Sequence, residues 1–143
     1  MYTNNKLKTV VHTFIEKAFN EKKSDALDAY FSPDLTDHAL PPALPSGFQG
    51  RKMFYDAFLA AFPDIHVHIE DLVTENDKVV THWSARGTHT GELMGIPPTG
   101  KSVNVTGIAI DRFENGQSVE HWEVFDQMGL MQQLGVIPAP GTA

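Results

Sequence analysis

Three sets of residues in this sequence have the types and spacing that chemistry requires. In "VEHWEVFD", alternation puts Val119, His121, Glu123 and Phe125 on one strand face and Glu120, Trp122, Val124 and Asp126 on the other. A carboxylate flanked by Val and Phe on a buried face loses hydration, which raises its pKa and makes it a usable base toward a carbon acid. On an open face the same Glu123 would be a solvated residue paired with a lysine or arginine. His121 could polarise a carbonyl, orient the carboxylate, or serve only in cross-strand packing. The second set is His66 and His68, on one face of "IHVHIEDLV", with His82 on the neighbouring strand. Three imidazoles can hold zinc, but polar positions of an alternating strand are generally exposed and no carboxylate is spaced to complete the site, so no metal is expected. The third set is "GIPPTGKS" at 95–102, which fits the phosphate-loop pattern. Pro97 and Pro98 remove two amide donors and fix φ, and the β-branched "SVNVTGIAIDRF" that follows does not open a helix. The match is accidental, and no nucleotide is expected there.

Composition narrows the function classes. A chain of 143 residues with 41% hydrophobic and 10% aromatic content reads as one soluble globular domain with a substantial core. A net charge of −7, with the acids spread along the chain, argues against nucleic acid and against anionic membranes. No apolar run reaches the length of a membrane span, and "MYTNNKLKTVVHTF" has no signal-peptide core. The absence of cysteine excludes disulfides, thiolate metal sites and a thiol nucleophile, and suits a cytoplasmic location.

The elements that must position these residues can be read from periodicity. Leu7, Val10, Val11, Phe14, Ile15, Ala18 and Phe19 form one helical stripe. Ser24 caps a short helix, "DALDAYF", that Pro33 ends, and residues 36–49 form a proline-rich rim loop. A third helix, "RKMFYDAFLAAF", stops before Pro63. The period then changes to two, through "IHVHIEDLV", "VVTHWSARGTHT", "SVNVTGIAIDRF" and "SVEHWEVFD", with Asn115-Gly116 as a hairpin turn. A terminal helix, "GLMQQLG", ends at Gly135. Helices first and an antiparallel meander afterwards make an α+β fold, three helices over a curved four- to six-stranded sheet with a conical cavity between.

Four stretches carry a resemblance to a known family. "AFPD" at 61–64, "GTHTGELMGIPPTGK" at 87–101, "GIAIDRF" at 107–113 and "EHWEVFDQMGLMQQLG" at 120–135 resemble the SnoaL-like polyketide cyclases. The resemblance runs over nearly the whole chain, treated as a single domain over 1–143. It implies the cone-shaped α+β barrel shared with nuclear transport factor two and ketosteroid isomerase, a homodimer, and the Pro-Pro-Thr-Gly segment as a hairpin connection at the cavity rim. It also implies intramolecular aldol cyclisation of a hydrophobic, carbonyl-rich molecule without a cofactor. The family's acid/base aspartate falls on Glu123, and its supporting histidine and glutamine fall on Ala109 and Gly107. Around the catalytic pair Glu123 and His121, the expected substrate-binding residues are His38, Phe14, Phe58, Trp83, Met94 and Asp126. Asp126 also reads as a cap for the terminal helix, and His89 in "GTHTG" reads as structural. Two other functions compete: a binding protein that kept the cavity without the chemistry, and a dimerising module that works through the sheet face bearing His66, His68 and His82.

Overall fold

The computed structural model describes residues 3–138; residues 1–2 and 139–143 of the expected single domain lie outside them. Helix α1 (Asn4–Ile15) starts where the Thr3 side chain accepts the amide of Lys6, and it buries Leu7 and Val11. It widens into a π-turn over Glu16–Asn20, whose Ala18 carbonyl accepts the buried Tyr55 hydroxyl. A short helix α2 (Ala26–Tyr30) passes directly into strand β1 (Phe31–Asp37), and α3 (Gly47–Ala61) follows the proline-rich connection. Strands β2 (His66–Glu75), β3 (Lys78–Thr88), β4 (Ser102–Glu114) and β5 (Gln117–Phe125) form the meander, and α4 (Gln127–Leu134) is the last of the described elements.

The sheet has the order β1-β5-β4-β3-β2 and curls without closing. The sheet is mostly antiparallel as expected, and its edge strand β1, which the sequence reading did not anticipate over residues 31–37, pairs parallel with β5. Pro33 does not end the ordered structure; it lies within β1, and an edge strand tolerates a residue without an N–H. The two hairpins are as tight as their sequences require. Asn115 and Gly116 both take positive φ (52° and 79°), the mirror-image turn that matches strand twist, and Asn76 at φ 57° helps turn β2 into β3.

Open backbone is covered by carboxamide side chains. Asn20 accepts from the Val67 amide (2.8 Å) and donates to its carbonyl (3.0 Å), tying the π-turn to edge strand β2. Gln133 does the same for Asn104, on a part of β4 that β5 does not reach, and so docks α4 (2.7 and 2.9 Å). Two apolar clusters meet at the helix–sheet interface: one gathers Leu7, Val11, Tyr30, Phe31 and Phe113, the other Phe62, Val67, Val103, Val105 and Leu130. Burial along β4 alternates strictly, so Val103, Val105, Gly107, Ala109, Asp111 and Phe113 point inward. One member of that inward row is an acid.

Candidate active site

A cavity of about 580 Å³ opens between the helices and the concave sheet face. Its lining is largely apolar and includes Val11, Phe14 and Phe31 as well as Phe58, Phe62, Trp83 and Phe125. The ladder register fixes three cross-strand rows of residues on the sheet. The first runs Asp37, His121, Asp111 and Val79, the second Glu123, Ala109, Thr81 and Leu72, and the third Phe125, Gly107, Trp83 and Ile69.

The first row and Glu123 form a chain of charged groups. His121 is 5% exposed; its Nδ1 lies 2.8 Å from Asp111 Oδ1, and its Nε2 lies 3.1 Å from Glu123 Oε1. Ser118 also donates to Asp111 Oδ1 (2.7 Å), fixing that carboxylate from a second side. Burial disfavours the imidazolium, but the charge and hydrogen bond of Asp111, then those of Glu123, outweigh it and push His121 up to about 10. His121 is therefore a cation at neutral pH, donating from both nitrogens. Beside it, burial first and the Asp111 charge second drive Tyr30 well above the ordinary tyrosine value, so its hydroxyl stays protonated.

On the other side of Glu123 stands Arg51, from α3. Its Nε and Nη2 grip Asp37 in a two-point contact (2.6 and 3.1 Å), while Nη1 approaches Glu123 Oε1 at 3.7 Å. Glu123 Oε1 is thus engaged by His121 and approached by Arg51, whereas Oε2 has no hydrogen-bond partner among the described residues. The expectation that Val and Phe neighbours would set the environment of Glu123 is corrected: a histidine and an arginine do.

The other expected site residues divide. Phe14, Phe58, Trp83 and Asp126 line the cavity, though Phe14 is also stacked on Tyr30 at 3.9 Å, and Asp126 caps α4 by accepting the Gly129 amide (2.9 Å). His38 does not line it. It lies on the outer sheet face, stacked on Trp122 (5.0 Å) and bonded to Glu120 (2.6 Å). That bond, with Arg112 second, holds Glu120 below its usual value. Met94 is 56% exposed with φ 45° and is likewise absent from the lining, as is the whole Pro-Pro-Thr-Gly connection. Residues 89–101 instead close a hairpin through His89 and Lys101 (2.9 Å) and pack on the end of α3, where His89 is buried and Thr99 bonds its Nδ1. The residue after Lys101 starts strand β4, so the phosphate-loop pattern has no helix behind it. His66 pairs with Arg86, His68 with Ser84 and His82 with Asp71. Among the described residues no three His, Asp or Glu side chains are gathered as a metal site.

Sequence reasoning missed Arg51 and Thr81, which line the cavity, and Asp37 and Asp111, which hold Arg51 and His121 from outside the lining. Asp111 had a signal, an acid at an inward position of an otherwise apolar alternation.

Comparisons with known proteins bear on the family and the fold. The model of the SnoaL-like polyketide cyclases matches residues 9–134. The chain belongs to the SnoaL-like polyketide cyclase family. Among its relatives, nogalonic acid methyl ester cyclase of Streptomyces nogalater is 28% identical over 123 residues, covering 82% of this chain and 90% of that protein. TsrD from Streptomyces laurentii shares the fold with a TM-score of 0.86 at 28% identity, covering 96% of this chain and 100% of that one. IdmH from Streptomyces antibioticus, described as a candidate polyketide cyclase, has a TM-score of 0.77 at 31% identity over 90% of this chain and 98% of its own.

Within this SnoaL-like cyclase, Gly107 has a local reason. A Cβ there would fall 2.3 Å from Trp83 Cζ2 and 2.8 Å from Phe125 Cβ, so the indole occupies the space a side chain would need. Gly107→Ala is expected to destabilise the protein by about 1–3 kcal/mol through overpacking and to shift the Trp83 fluorescence, as read by urea unfolding and emission spectra.

Proposed function

We propose that this protein is a cofactor-independent acid/base enzyme that closes a ring in a hydrophobic, carbonyl-rich molecule by intramolecular aldol reaction. The observation that carries the reading is Glu123 in the cavity wall, with Oε1 engaged by His121 and Oε2 without a hydrogen-bond partner among the described residues. Glu123 Oε2 takes a proton from the carbon between two substrate carbonyls; the C–H bond breaks and its electron pair becomes an enolate. Negative charge then passes from the carboxylate to the substrate oxygen, where Arg51 Nη1, which makes no hydrogen bond to protein among the described residues, can receive it. The enolate carbon attacks the second carbonyl, a C–C bond forms, and the resulting alkoxide takes the proton back from Glu123. His121 keeps the carboxylate oriented throughout, and Asp111 keeps His121 charged.

The test is turnover of a linear or partly cyclised polyketone by wild type and Glu123→Gln. A positioned acid/base usually contributes roughly 100- to 10,000-fold, so kcat is expected to fall by that factor with binding retained. Unchanged turnover would remove Glu123 as the base, and binding without turnover in wild type would leave a carrier.

We propose further that two copies pair through the outer sheet face, where Ile108 is 45% exposed beside Ile110 and Trp122, in the reducing cytoplasm that a cysteine-free chain suits. Light scattering at micromolar concentration is expected to give twice the chain mass, and a monomer mass would sink this pairing.

A further inference from the structure

Five charged side chains meet in alternating sign around Glu123: Asp37, Arg51, Glu123 itself, His121 and Asp111. Three carboxylates share two cations, so one negative charge is left over. Each outer carboxylate is also fixed by a neutral donor. Ser118 holds Asp111 Oδ1, and the Ala39 amide donates to Asp37 Oδ1 (2.9 Å) where the chain leaves β1 for the rim loop. The Asp37 side chain is 0% exposed, and it takes both Nε and Nη2 of Arg51 (2.6 and 3.1 Å). The remaining Nη1 stays 3.7 Å from Glu123 Oε1, beyond hydrogen-bond distance. The side-on fork of the guanidinium is thus spent on the carboxylate outside the cavity lining and not on Glu123.

From this we infer that Asp37 is a positioning residue: it holds Arg51 back from Glu123, so that Glu123 remains the carboxylate without a matching cation and can act as a base. The inference rests on the acid/base reading of Glu123 given above, and it names the group that keeps that base available. Opposite charges in a largely enclosed site attract strongly, and a guanidinium freed from Asp37 would close its fork on Glu123, the other carboxylate in reach. A carboxylate gripped in two charge-assisted hydrogen bonds is a weaker base toward a C–H bond. Asp37 does not touch the reacting atoms; its effect passes through Arg51. The same arrangement lets a base have an arginine for a neighbour: the neighbour's charge is already balanced, while Nη1 keeps its hydrogens for an oxygen of the substrate.

The test uses the ring opening of 5-nitrobenzisoxazole, a planar probe from which a base removes the ring C–H proton while the N–O bond breaks, giving a coloured cyanophenolate. Wild type should open it faster than Glu123→Gln, which establishes the base. Asp37→Asn is then expected to lose roughly ten- to 100-fold in kcat, with KM for the uncharged probe nearly unchanged. Removing Arg51 as well is expected to raise the rate again. The double variant, Asp37→Asn with Arg51→Gln, should outrun Asp37→Asn by roughly three- to tenfold, because no arginine is left to occupy Glu123. Simple damage to the fold gives the opposite order, since the double variant has lost more contacts. Equal rates for Asp37→Asn and wild type, or a double variant no faster than Asp37→Asn, would overturn the inference. Proton NMR of the Arg51 Nε–H needs neither turnover nor an Asp37 variant. Its resonance should stay in place in Glu123→Gln, because Asp37 holds it; a resonance that moves or is lost there would show that Glu123 does the holding, and would also overturn the inference. If wild type and Glu123→Gln open the probe equally, the acid/base reading fails while the NMR result still decides which carboxylate holds Arg51, so the two failures are distinguishable.

Discussion

Replacing Asp111 by asparagine is expected to lower the unfolding free energy by about 3–5 kcal/mol at neutral pH, the loss that follows when one partner of a buried ion pair is removed. The carboxylate side chain is 4% exposed, and its Oδ1 bonds both His121 (2.8 Å) and Ser118 (2.7 Å). An asparagine of the same shape keeps one acceptor but not the charge that holds a proton on His121. The imidazole then either deprotonates or remains a buried cation with Glu123 as its partner. In urea unfolding the variant should lose a large share of its margin, given that domains are stable by only about 5–15 kcal/mol. NMR of the His121 ring should show its titration moving down from about 10. If the variant is as stable as wild type and His121 titrates where it did, the charged chain described here does not hold the floor together.

The second large effect is on pH dependence. The folded value for His121, about 10, lies above the 6.5 of an unperturbed histidine. Such a group binds its proton more tightly when folded, so its stabilising contribution is complete below about pH 6.5. It declines by about 1.4 kcal/mol per pH unit above that, and is gone once the pH passes about 10. Wild-type unfolding free energy should therefore slope downward between about pH 7 and 10. In His121→Gln, which cannot take the proton, that slope should be absent. Turnover should follow the same limb: orientation of Glu123 by a charged His121 should last through neutral pH and fail as the ring deprotonates in the alkaline range. A flat difference between the two stability profiles would show that His121 is neutral in the folded protein.

How far the sequence alone could be read depends on the range of the signal. The meander was legible because β2 to β5 alternate, and their turns contain Asn76 and the Asn115-Gly116 pair at positive φ, so each strand boundary is announced within a few residues. Strand β1 was not. "FSPDLTD" has no clean alternation, contains a proline, and is held by a parallel pairing with residues about 85 positions away, which no local pattern reports. The same distinction runs through the site. His121 and Glu123 could be placed on one face by counting along their own strand. Arg51 could not, because a helical arginine beside Lys52 looks like any solvated cation until Asp37, on a strand that was not anticipated, takes hold of it. His38 was misplaced for a related reason: position beside loop prolines does not say on which side of the sheet the chain emerges, and here it emerges toward Trp122.

In β5 the pairing with β4 skips from Glu120 to Ser118, leaving Val119 as the extra residue of a bulge. That extra residue lets Ser118 and His121 both face inward although three positions separate them, where a regular strand would set them on opposite faces. Both can therefore reach Asp111 Oδ1 from the same strand. A chain shortened by this one valine would pair without the bulge and keep His121 and Glu123 inside, so the insertion is a place where length can vary while the acids stay in step.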